Sequence, residues 1–257
     1  MAVLNVGLSQ IRYDEYGEGQ PVILLHGVGG NRVSWFRQIP YLSARYRVIS
    51  MDQRAFGLST DVEGLGRDAF VDDLLALVNH LAIDRALLVG QSMGGGTCAA
   101  FACRYPERVA GLVIADSLAG VEVAEPLFSI IAARRAANAD LGQIERVLGP
   151  DMPARDPELT LLYLQIASFN SVNAKTVRGA PPPWSPERLA ETGLPTSFIV
   201  GTQDIIFPPE HVREVADQVP GARFTLIPEA GHSAYFEQPA AFNAALDESF
   251  AVFAENA

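Results

Sequence analysis

The sequence predicts an α/β protein with a mostly parallel, doubly wound sheet and a block of helices inserted late in the chain. Three observations lead to this prediction. Short apolar runs alternate with amphipathic segments along most of the 257 residues. The runs are continuously apolar, as in strands whose two faces are both covered. Residues 121–192 contain helical patterns but no convincing strand, and they interrupt the alternation.

Six apolar runs are predicted to form the parallel strands. They lie at residues 22–25, 46–51, 86–89, 109–115, 197–200 and 223–227. An antiparallel pair is predicted at the start, at residues 3–8 and 11–16. The core helices are predicted at residues 68–81, 97–104, 210–219 and 240–253. The first of these helices carries apolar residues at helical spacing, such as Phe70, Leu74 and Leu77.

The late helical block is predicted to span residues 121–192. Within it, helices are expected at 124–139, 141–148 and 157–169, followed by an extended proline run at 181–184. We therefore expect a core domain made of residues 1–120 and 193–257, with 121–192 as a helical lid, or cap. Such an insertion can cover the carboxyl edge of the sheet, where open α/β sheets bind ligands. The alternative is a helical excursion packed away from any site.

Composition and charge limit the function classes. With 49% hydrophobic residues, the chain can bury a large core. A net charge of −11 argues against nucleic acid and anionic membrane surfaces as partners, because no excess of cations is available to neutralise phosphates. Residues 1–10 show no secretory signal, and no apolar stretch approaches membrane-spanning length, so a cytoplasmic location is expected. The sequence leaves a homodimer possible.

The cysteines and histidines show no metal-ligand spacing. Cys98 and Cys103 lie five residues apart in a predicted helix and point in different directions, so a disulfide between them is not expected. Both are predicted to act as small buried hydrophobic residues. The chain has two cysteines and four histidines, and neither a metal nor another cofactor is expected.

Ser92 is the candidate nucleophile. It follows a predicted strand in Gly90-Gln91-Ser92-Met93-Gly94 and precedes a predicted helix. Such a strand–turn–helix elbow holds the serine in a strained backbone, and the residues two before and two after it must be tiny. Gly90 and Gly94 meet that demand. The bare pattern is weak evidence and gains weight from its context; the alternative is a glycine-rich turn with an incidental serine.

His232 is the candidate general base. It lies in the loop after the last predicted strand, at the same edge of the sheet as Ser92. The other histidines fit less well. His80 lies among leucines on a helix, His211 is expected to be exposed at a helix start, and His26 is better placed to shape a loop.

Asp204 is the candidate for the acid that orients the base. It follows the fifth apolar run and gives the chain order Ser, Asp, His. Asp116 occupies the equivalent place one strand earlier and is the second choice. We expect Asp52 to order its own loop together with Arg54, and Glu229 to face solvent.

A tetrahedral intermediate places negative charge on an oxygen, so backbone N–H donors must already point there. Met93 can supply one donor from the start of the helix, where the helix dipole also helps. The glycine-rich loop at residues 26–30 can supply another, and Val28 is the chosen donor. Taken alone, the pattern of this loop is typical of an ordinary strand-to-helix turn.

Five motifs in this order resemble the α/β-hydrolase superfamily. They are His26-Gly27, the stretch from Asp52 to Ser59, the Ser92 elbow, Gly201-Thr202-Gln203-Asp204 and Gly231-His232. The resemblance implies that the His-Gly loop carries an oxyanion donor, which agrees with Val28. Ala55 stands where the superfamily usually has glycine, and we expect it to be tolerated if its φ stays negative.

The resemblance also narrows the chemistry. A serine at the nucleophile position implies acyl transfer, as in esterases, lactonases, C–C hydrolases of ring-cleavage products and cofactor-free perhydrolases. We expect hydrolysis of a small-molecule carboxylic ester through an acyl-enzyme. The candidate substrate-binding residues are Trp35, Phe128, Ile131, Leu162, Ile166, Phe169 and Tyr235.

Three alternatives stay open. A C–C hydrolase would use the same triad but needs a cationic clamp for a substrate carboxylate. Candidate residues for that clamp are Arg134, Arg135, Arg155 and Arg178, with Asn170 and Asn173 as hydrogen-bonding partners. A lactonase resembles the esterase so closely that only substrate screening separates the two. A ligand-binding receptor on a hydrolase scaffold could also keep the triad.

Overall fold

One sheet forms the centre of the molecule in the computed structural model, which describes residues 1–255 apart from the side chain of Arg135. Its described strands are β1 (Ala2–Val6), β2 (Ser9–Tyr16), β3 (Pro21–Leu25), β4 (Arg47–Met51), β5 (Ala86–Gln91), β6 (Val109–Ala115), β7 (Thr196–Gly201) and β8 (Arg223–Ile227). Their order across the sheet is β1-β2-β4-β3-β5-β6-β7-β8. Strands β3 to β8 run parallel, and β1 and β2 form the antiparallel start. The predicted mostly parallel sheet is confirmed.

Helices connect the strands. The α-helices are α1 (Ile39–Leu42), α2 (Phe70–His80), α3 (Met93–Arg104), α4 (Leu127–Ala137), α5 (Gln143–Val147), α6 (Met152–Arg155), α7 (Pro157–Ser168), α8 (Pro186–Glu191), α9 (Pro209–Ala216), α10 (Ala234–Glu237) and α11 (Pro239–Glu255). Short 3₁₀ turns occur at Arg32–Trp35, Gly66–Ala69 and Pro106–Arg108.

Both faces of the sheet are buried, as the continuous apolar runs indicate. On β3, Ile23 and Leu25 belong to one apolar cluster, while Val22 and Leu24 belong to another. Side chains of α2, α3 and α9 complete the first cluster, and side chains of α1 and α11 complete the second. Because side chains alternate along a strand, each face of the sheet is covered by its own layer of helices, which is the doubly wound arrangement.

The predicted boundaries of long elements lie within a few residues of the observed ones, and the exceptions have local causes. Strand β1 ends at Val6 because Gly7 turns the chain with a φ of +59°. Helix α3 begins at Met93, four residues before its predicted start. The glycines after Met93 are poor helix formers, but tight packing against the sheet favours the helix there. The short helices α1, α6, α8 and α10 were not predicted, because four to six residues do not complete a periodic pattern.

Residues 121–192, called here the inserted segment, contain α4 to α8 and lie between β6 and β7. Its two ends meet beside the sheet. Val121 and Trp184 form a parallel β-bridge, and the Trp184 N–H donates to the Gly120 carbonyl at 3.1 Å. The Trp184 indole N–H also donates to the Ala119 carbonyl at 2.9 Å. The chain therefore leaves and re-enters the core through a single hydrogen-bonded neck.

Within residues 1–255, no helix is both long enough and apolar enough to cross a membrane.

Candidate active site

Ser92 lies at a sharp turn between β5 and α3. Its backbone has φ 51° and ψ −116°, a conformation that L-residues adopt only under constraint. Two hydrogen bonds hold it there. The Ser92 N–H donates to the Ala115 carbonyl at 2.9 Å, and its own carbonyl accepts from the Ser117 hydroxyl at 2.6 Å. The predicted strand–turn–helix elbow is confirmed, and its serine is fixed by the end of the neighbouring strand β6.

The glycines that flank the elbow leave no room for a side chain. A Cβ atom on Gly90 would lie 2.3 Å from the Gly94 carbonyl oxygen, and one on Gly94 would lie 2.2 Å from the Leu25 carbonyl oxygen. Both obstacles are backbone atoms, so no rotamer change relieves them. The predicted need for tiny residues two before and two after Ser92 is confirmed.

The structure brings His232 and Asp204 to Ser92. The Nε2 atom of His232 is 2.8 Å from the Ser92 hydroxyl oxygen, and its Nδ1 atom is 2.9 Å from Oδ2 of Asp204. The carboxylate accepts the Nδ1 proton, which leaves the Nε2 lone pair facing the hydroxyl. These contacts join the ends of β5, β7 and β8, three strands that are distant in sequence.

The acid and the base are themselves held in place. Oδ1 of Asp204 accepts the N–H groups of Ile206 at 2.8 Å and Phe207 at 3.0 Å. The ring of Phe207 packs against the imidazole with centroids 5.8 Å apart. The carbonyl of His232 accepts from the Gln91 side-chain amide at 2.6 Å. Both side chains are buried, so their orientation does not depend on solvent.

Asp116, the second choice for the acid, has a different set of contacts. Its oxygens accept the N–H groups of Gly201 at 2.8 Å and Ala234 at 3.1 Å. Burial, and then the nearby charge of Asp204, raise the pKa of Asp116 well above its usual value. Asp116 therefore ties the loops after β7 and β8 together, and Asp204 is the carboxylate that contacts the imidazole.

The two chosen oxyanion donors flank Ser92. Met93 is the first residue of α3, so its N–H has no acceptor within the helix. On the other side, a Cβ on Gly27 would lie 3.0 Å from the Ser92 Cβ. The glycine loop therefore passes directly beside the elbow, with half-buried Val28 next in the chain.

The other histidines occupy structural or surface positions. His26 is buried, accepts the Gln53 N–H on Nε2 at 3.0 Å and donates from Nδ1 to the Gly27 carbonyl at 2.7 Å. Burial lowers the pKa of His26, so it stays neutral and shapes the glycine loop, as predicted. His80 is exposed on α2. His211 is buried, and the expectation that it is exposed was wrong, because the first turn of α9 packs on the core.

The loop after β4 differs from its prediction in two ways. Asp52 bonds to Arg32 and not to Arg54: its Oδ1 accepts the Arg32 backbone N–H and its Oδ2 accepts the guanidinium, both at 2.7 Å. Arg54 instead pairs with buried Asp73 at 2.6 Å. Ala55 has a φ of +70°, so the condition set for its tolerance, a negative φ, is not met, and the alanine takes the left-handed backbone that favours glycine.

The inserted segment contacts the glycine loop. A Cβ on Gly29 would lie 2.4 Å from the hydroxyl oxygen of Tyr163 on α7. The Asn31 side-chain amide donates to the Ile166 carbonyl at 3.0 Å, and the Asn170 side-chain amide donates to the Gly30 carbonyl at 3.0 Å. Tyr163 and Asn31 were not among the predicted site residues. No local sequence pattern marks them, and only the contact between the glycine loop and α7 brings them close to the site.

The candidate substrate-binding residues fall into separate groups. Trp35 and Tyr235 are fully buried with ring centroids 4.5 Å apart, and Ile166 and half-buried Leu162 pack in the same apolar cluster. Ile131 packs, half-buried, against the cluster on the other face of the sheet. Phe128 and Phe169 lie mostly exposed, at 54% and 72%. The structure therefore brings four of the seven together.

The residues considered for a cationic clamp are mostly on the surface. Arg134, Arg155 and Arg178 are exposed, and the side chain of Arg135 lies outside the described part of the chain. Asn173 is exposed as well. The Asn170 amide is occupied, because besides its bond to Gly30 its oxygen accepts the Gly57 N–H at 3.0 Å.

Arg146 is another cation of the inserted segment, and it was not among the predicted clamp residues. Arg146 on α5 is half-buried, and its Nε atom is buried with no hydrogen-bond partner among the described residues. Burial raises the pKa of Tyr163 to about 12, and the charge of Arg146 is among the smaller effects that lower it. Arg146 therefore lies close enough to act on the hydroxyl above Gly29.

Comparison with known proteins gives one consistent family. A family model described as the alpha/beta hydrolase fold matches residues 20–165. A protein of Mycobacterium tuberculosis, named "Putative non-heme bromoperoxidase BpoC", is 31% identical over 94% of this chain and 97% of its own. The 2-hydroxy-6-oxo-6-(2'-aminophenyl)hexa-2,4-dienoic acid hydrolase of Metapseudomonas resinovorans is 30% identical over 93% of this chain and 87% of its own. Among solved structures, a thermophilic esterase from Thermogutta terrifontis aligns with a TM-score of 0.80 and 30% identity, covering 95% of this chain and 94% of that one.

Proposed function

The chain belongs to the α/β-hydrolase fold family, and on that premise we propose that it is a serine hydrolase that cleaves small carboxylic esters through an acyl-enzyme. The observation that carries the proposal is the hydrogen-bonded series Ser92–His232–Asp204, with links of 2.8 and 2.9 Å. A serine hydroxyl is a weak nucleophile unless a base accepts its proton, and this geometry supplies that base and an acid to orient it.

The proposed reaction has two stages. Ser92 attacks the ester carbonyl while Nε2 of His232 takes its proton, and Asp204 stabilises the imidazolium. The N–H groups of Met93 and Val28 bind the oxyanion. The imidazolium then protonates the leaving alkoxide, which gives the alcohol and the acyl-enzyme. In the second stage His232 deprotonates a water molecule, which releases the acid and restores Ser92.

We further propose that the inserted segment is the cap of the site. The proposal is supported by its contacts with the glycine loop, through Tyr163, Ile166 and Asn170. Helices at that place limit the size of the substrate and exclude water from the reacting atoms. The apolar cluster around Trp35 and Tyr235 lies below it and supports an apolar acyl or alcohol group as the bound part.

Replacement of the nucleophile tests the proposal. Ser92→Ala should fold normally and lose at least about a thousandfold in kcat for p-nitrophenyl acetate, because no other hydroxyl replaces the attacking oxygen. A matched control is Ser129→Ala, which removes an exposed hydroxyl from α4 and should keep full turnover.

Labelling with a fluorophosphonate separates an enzyme from a binding protein. The wild type should be labelled at Ser92, and Ser92→Ala should not be. Retained turnover in Ser92→Ala would refute the nucleophile. An unlabelled, inactive wild type would instead support the ligand-binding receptor. Hydrolysis of lactones in preference to open-chain esters would identify a lactonase with the same chemistry.

Paired substitutions test the acid. Asp204→Asn should lower kcat by about a thousandfold or more, because the amide no longer holds the imidazole in the required tautomer. Asp116→Asn should lower the free energy of unfolding, since the amide oxygen can accept only one of the two backbone N–H groups, with a smaller effect on kcat. A larger loss of kcat from Asp116→Asn at equal folded content would reverse the assignment.

Arg146 supports a second candidate, hydrolysis of a C–C bond in a carboxylate-bearing substrate. The half-buried guanidinium of Arg146, whose Nε atom has no partner among the described residues and whose charge acts on Tyr163, could bind a substrate carboxylate. Arg146→Met should then raise KM for carboxylate-bearing substrates by about tenfold or more and leave p-nitrophenyl acetate unaffected. If Arg146→Met and the wild type have the same KM for carboxylate-bearing substrates, the simple esterase is the better assignment.

A further inference from the structure

A buried carboxylate, Glu237, links the loop of His232 to the inserted segment. Its side chain is 6% exposed. Oε1 accepts the N–H of Gly231 at 2.8 Å, and Oε2 accepts the N–H of Gly149 at 2.7 Å. Gly231 directly precedes His232, and Gly149 lies between α5 and α6 of the inserted segment. One side chain therefore bonds to both sides of the junction, and neither the proposed triad nor the oxyanion donors use it.

The junction itself is too tight for side chains. A Cβ on Gly231 would lie 2.5 Å from the Gly149 nitrogen and from the Leu148 carbonyl carbon. A Cβ on Gly149 would lie 2.5 Å from Oε1 of Gln203, the residue before Asp204. The backbone at 148–149 therefore rests directly on the loops that carry the proposed base and acid. A displacement of this backbone would displace His232 as well.

Other ionisable groups surround Glu237 from several elements. His232 lies on its own loop, Asp116 acts on it from the end of β6, and Tyr163 and Arg155 act on it from α7 and α6. Its hydrogen-bond partners are neutral backbone amides. Burial raises its pKa to about 7, against a smaller opposing effect of these amides and of Arg155.

We propose that Glu237 is a positioning residue, whose carboxyl group holds the His232 loop and the inserted segment in the arrangement required for catalysis. Burial disfavours the charged carboxylate more than the two N–H bonds favour it, so ionisation of Glu237 loosens the junction and protonation tightens it. The effect on rate rests on the proposed function of Ser92. The contacts of Glu237 with Gly149 and Gly231 do not depend on that function.

The first test compares rates across pH. We choose Glu237→Gln, a neutral side chain of the same shape, and Glu229→Gln as a control on the same loop, since Glu229 is exposed. The readouts are kcat/KM for p-nitrophenyl acetate and the second-order rate constant for fluorophosphonate labelling of Ser92. The ratio of wild type to Glu237→Gln should be about ten at pH 5.5, because the glutamine amide oxygen accepts only one of the two N–H groups, and it should decrease at pH 8.5, where the wild-type carboxyl is ionised.

The control should give a ratio near one throughout. A pH dependence that the three proteins share cancels in the ratios. A ratio for Glu237→Gln that stays constant across pH would assign Glu237 a merely structural role and overturn the proposal. If that variant does not fold, wild-type deuterium exchange decides: from pH 5.5 to pH 8.5 the exchange of Gly149 and Gly231 should accelerate more than that of β5 and β6, and equal acceleration would overturn the proposal.

The second test needs no turnover. At pH 5.5, the amide hydrogens of Gly149 and Gly231 should exchange with deuterium at least about tenfold faster in Glu237→Gln than in the wild type, while β5 and β6 are unchanged. Unchanged exchange at both glycines would refute the claim that Glu237 holds the junction together. If Ser92→Ala kept its turnover, the proposed function would fail, and this exchange experiment would still decide whether Glu237 holds the two segments together.

Discussion

Two alanines adopt the left-handed backbone that normally favours glycine. Ala82 has a φ of +50° directly after α2, where the Ile83 N–H donates to the Val78 carbonyl and the Ala82 N–H to the Asn79 carbonyl. This bonding pattern is the Schellman motif, whose left-handed position is usually glycine. Ala55 has a φ of +70° in the loop after β4 and is buried.

We predict that Ala82→Gly stabilises the protein. The strain of a left-handed alanine costs about 1–2 kcal/mol, and the greater freedom of glycine in the unfolded chain offsets about 0.4–1 kcal/mol of that gain. The free energy of unfolding, measured with urea, should rise by about 0.5–1 kcal/mol. Ala55→Gly is the matched comparison and should gain less, because its buried methyl is worth about 0.8 kcal/mol. A less stable Ala82→Gly variant would contradict the strain argument.

The residues at the ends of strands were the ones that sequence could predict. Ser92, Asp204 and His232 each follow a readable apolar run, and parallel strands bring their carboxyl ends to one edge. Partners set by side-chain reach could not be predicted. Asp52 bonds to Arg32, which lies twenty residues earlier and shows no local pattern, and not to the nearby Arg54.

At the scale of elements, the close approach of α3 to β3 determines the position of the nucleophile. The first turn of α3 contains three glycines, and the Leu25 carbonyl lies where a side chain of Gly94 would be. The helix start and the strand end are therefore in backbone contact. Val28 lies on the loop after β3, so the distance of α3 from β3 also sets the distance between the Ser92–Met93 elbow and this second proposed oxyanion donor.

We expect Gly94→Ala to damage the elbow. Its Cβ would lie 2.2 Å from the Leu25 carbonyl oxygen, so α3 must move away from the sheet. The free energy of unfolding should fall by about 1–3 kcal/mol or more, and the proposed turnover of p-nitrophenyl acetate should be lost in the molecules that stay folded. Gly142→Ala is a control at a glycine with a φ of −61° and only a flexible glutamate nearby, and it should cost less than about 1 kcal/mol. Full activity in Gly94→Ala would contradict the close-contact argument.

Elements with many turns could be predicted from the sequence, and short ones could not. Helix α2 shows a clear apolar stripe, and its predicted range includes the observed one. Helix α10 has only four residues between two loops, and its position depends on hydrogen bonds to Ser233. The start of α3 was missed for a different reason: helix propensity disfavours its glycines, and the tertiary contact that requires them cannot be read from local sequence.

For the molecule as a whole, buried carboxyl groups determine the pH dependence of stability. Burial raises the pKa of Glu237 from 4.5 to about 7 and raises that of Asp116 well above its usual value. Between pH 4.5 and about pH 7, Glu237 of the folded protein still binds a proton that it has already released in the unfolded chain. The stability that Glu237 contributes is therefore complete below about pH 4.5 and decreases as pH rises to about 7.

We predict that Glu237→Gln weakens this dependence. A shift from 4.5 to about 7 corresponds to about 3 kcal/mol lost by the wild type over that interval and not by the variant. Urea unfolding at pH 4.5 and pH 8 should therefore show the stability difference between the two proteins moving in favour of the variant by up to this amount. Glu229→Gln should not change with pH in this way. A pH-independent difference for Glu237→Gln would contradict the raised pKa.

Tryptophan fluorescence can report on the inserted segment, because Trp184 lies in its hydrogen-bonded neck. The chain has two tryptophans. Trp184 is buried in the neck, and Trp35 is buried beside Tyr235. In a Trp35→Phe variant the remaining indole emission comes from the neck, and in Trp184→Phe it comes from the aromatic cluster. Fluorescence from the two single-tryptophan proteins can thus distinguish helices that swing about a fixed attachment from helices that detach at it.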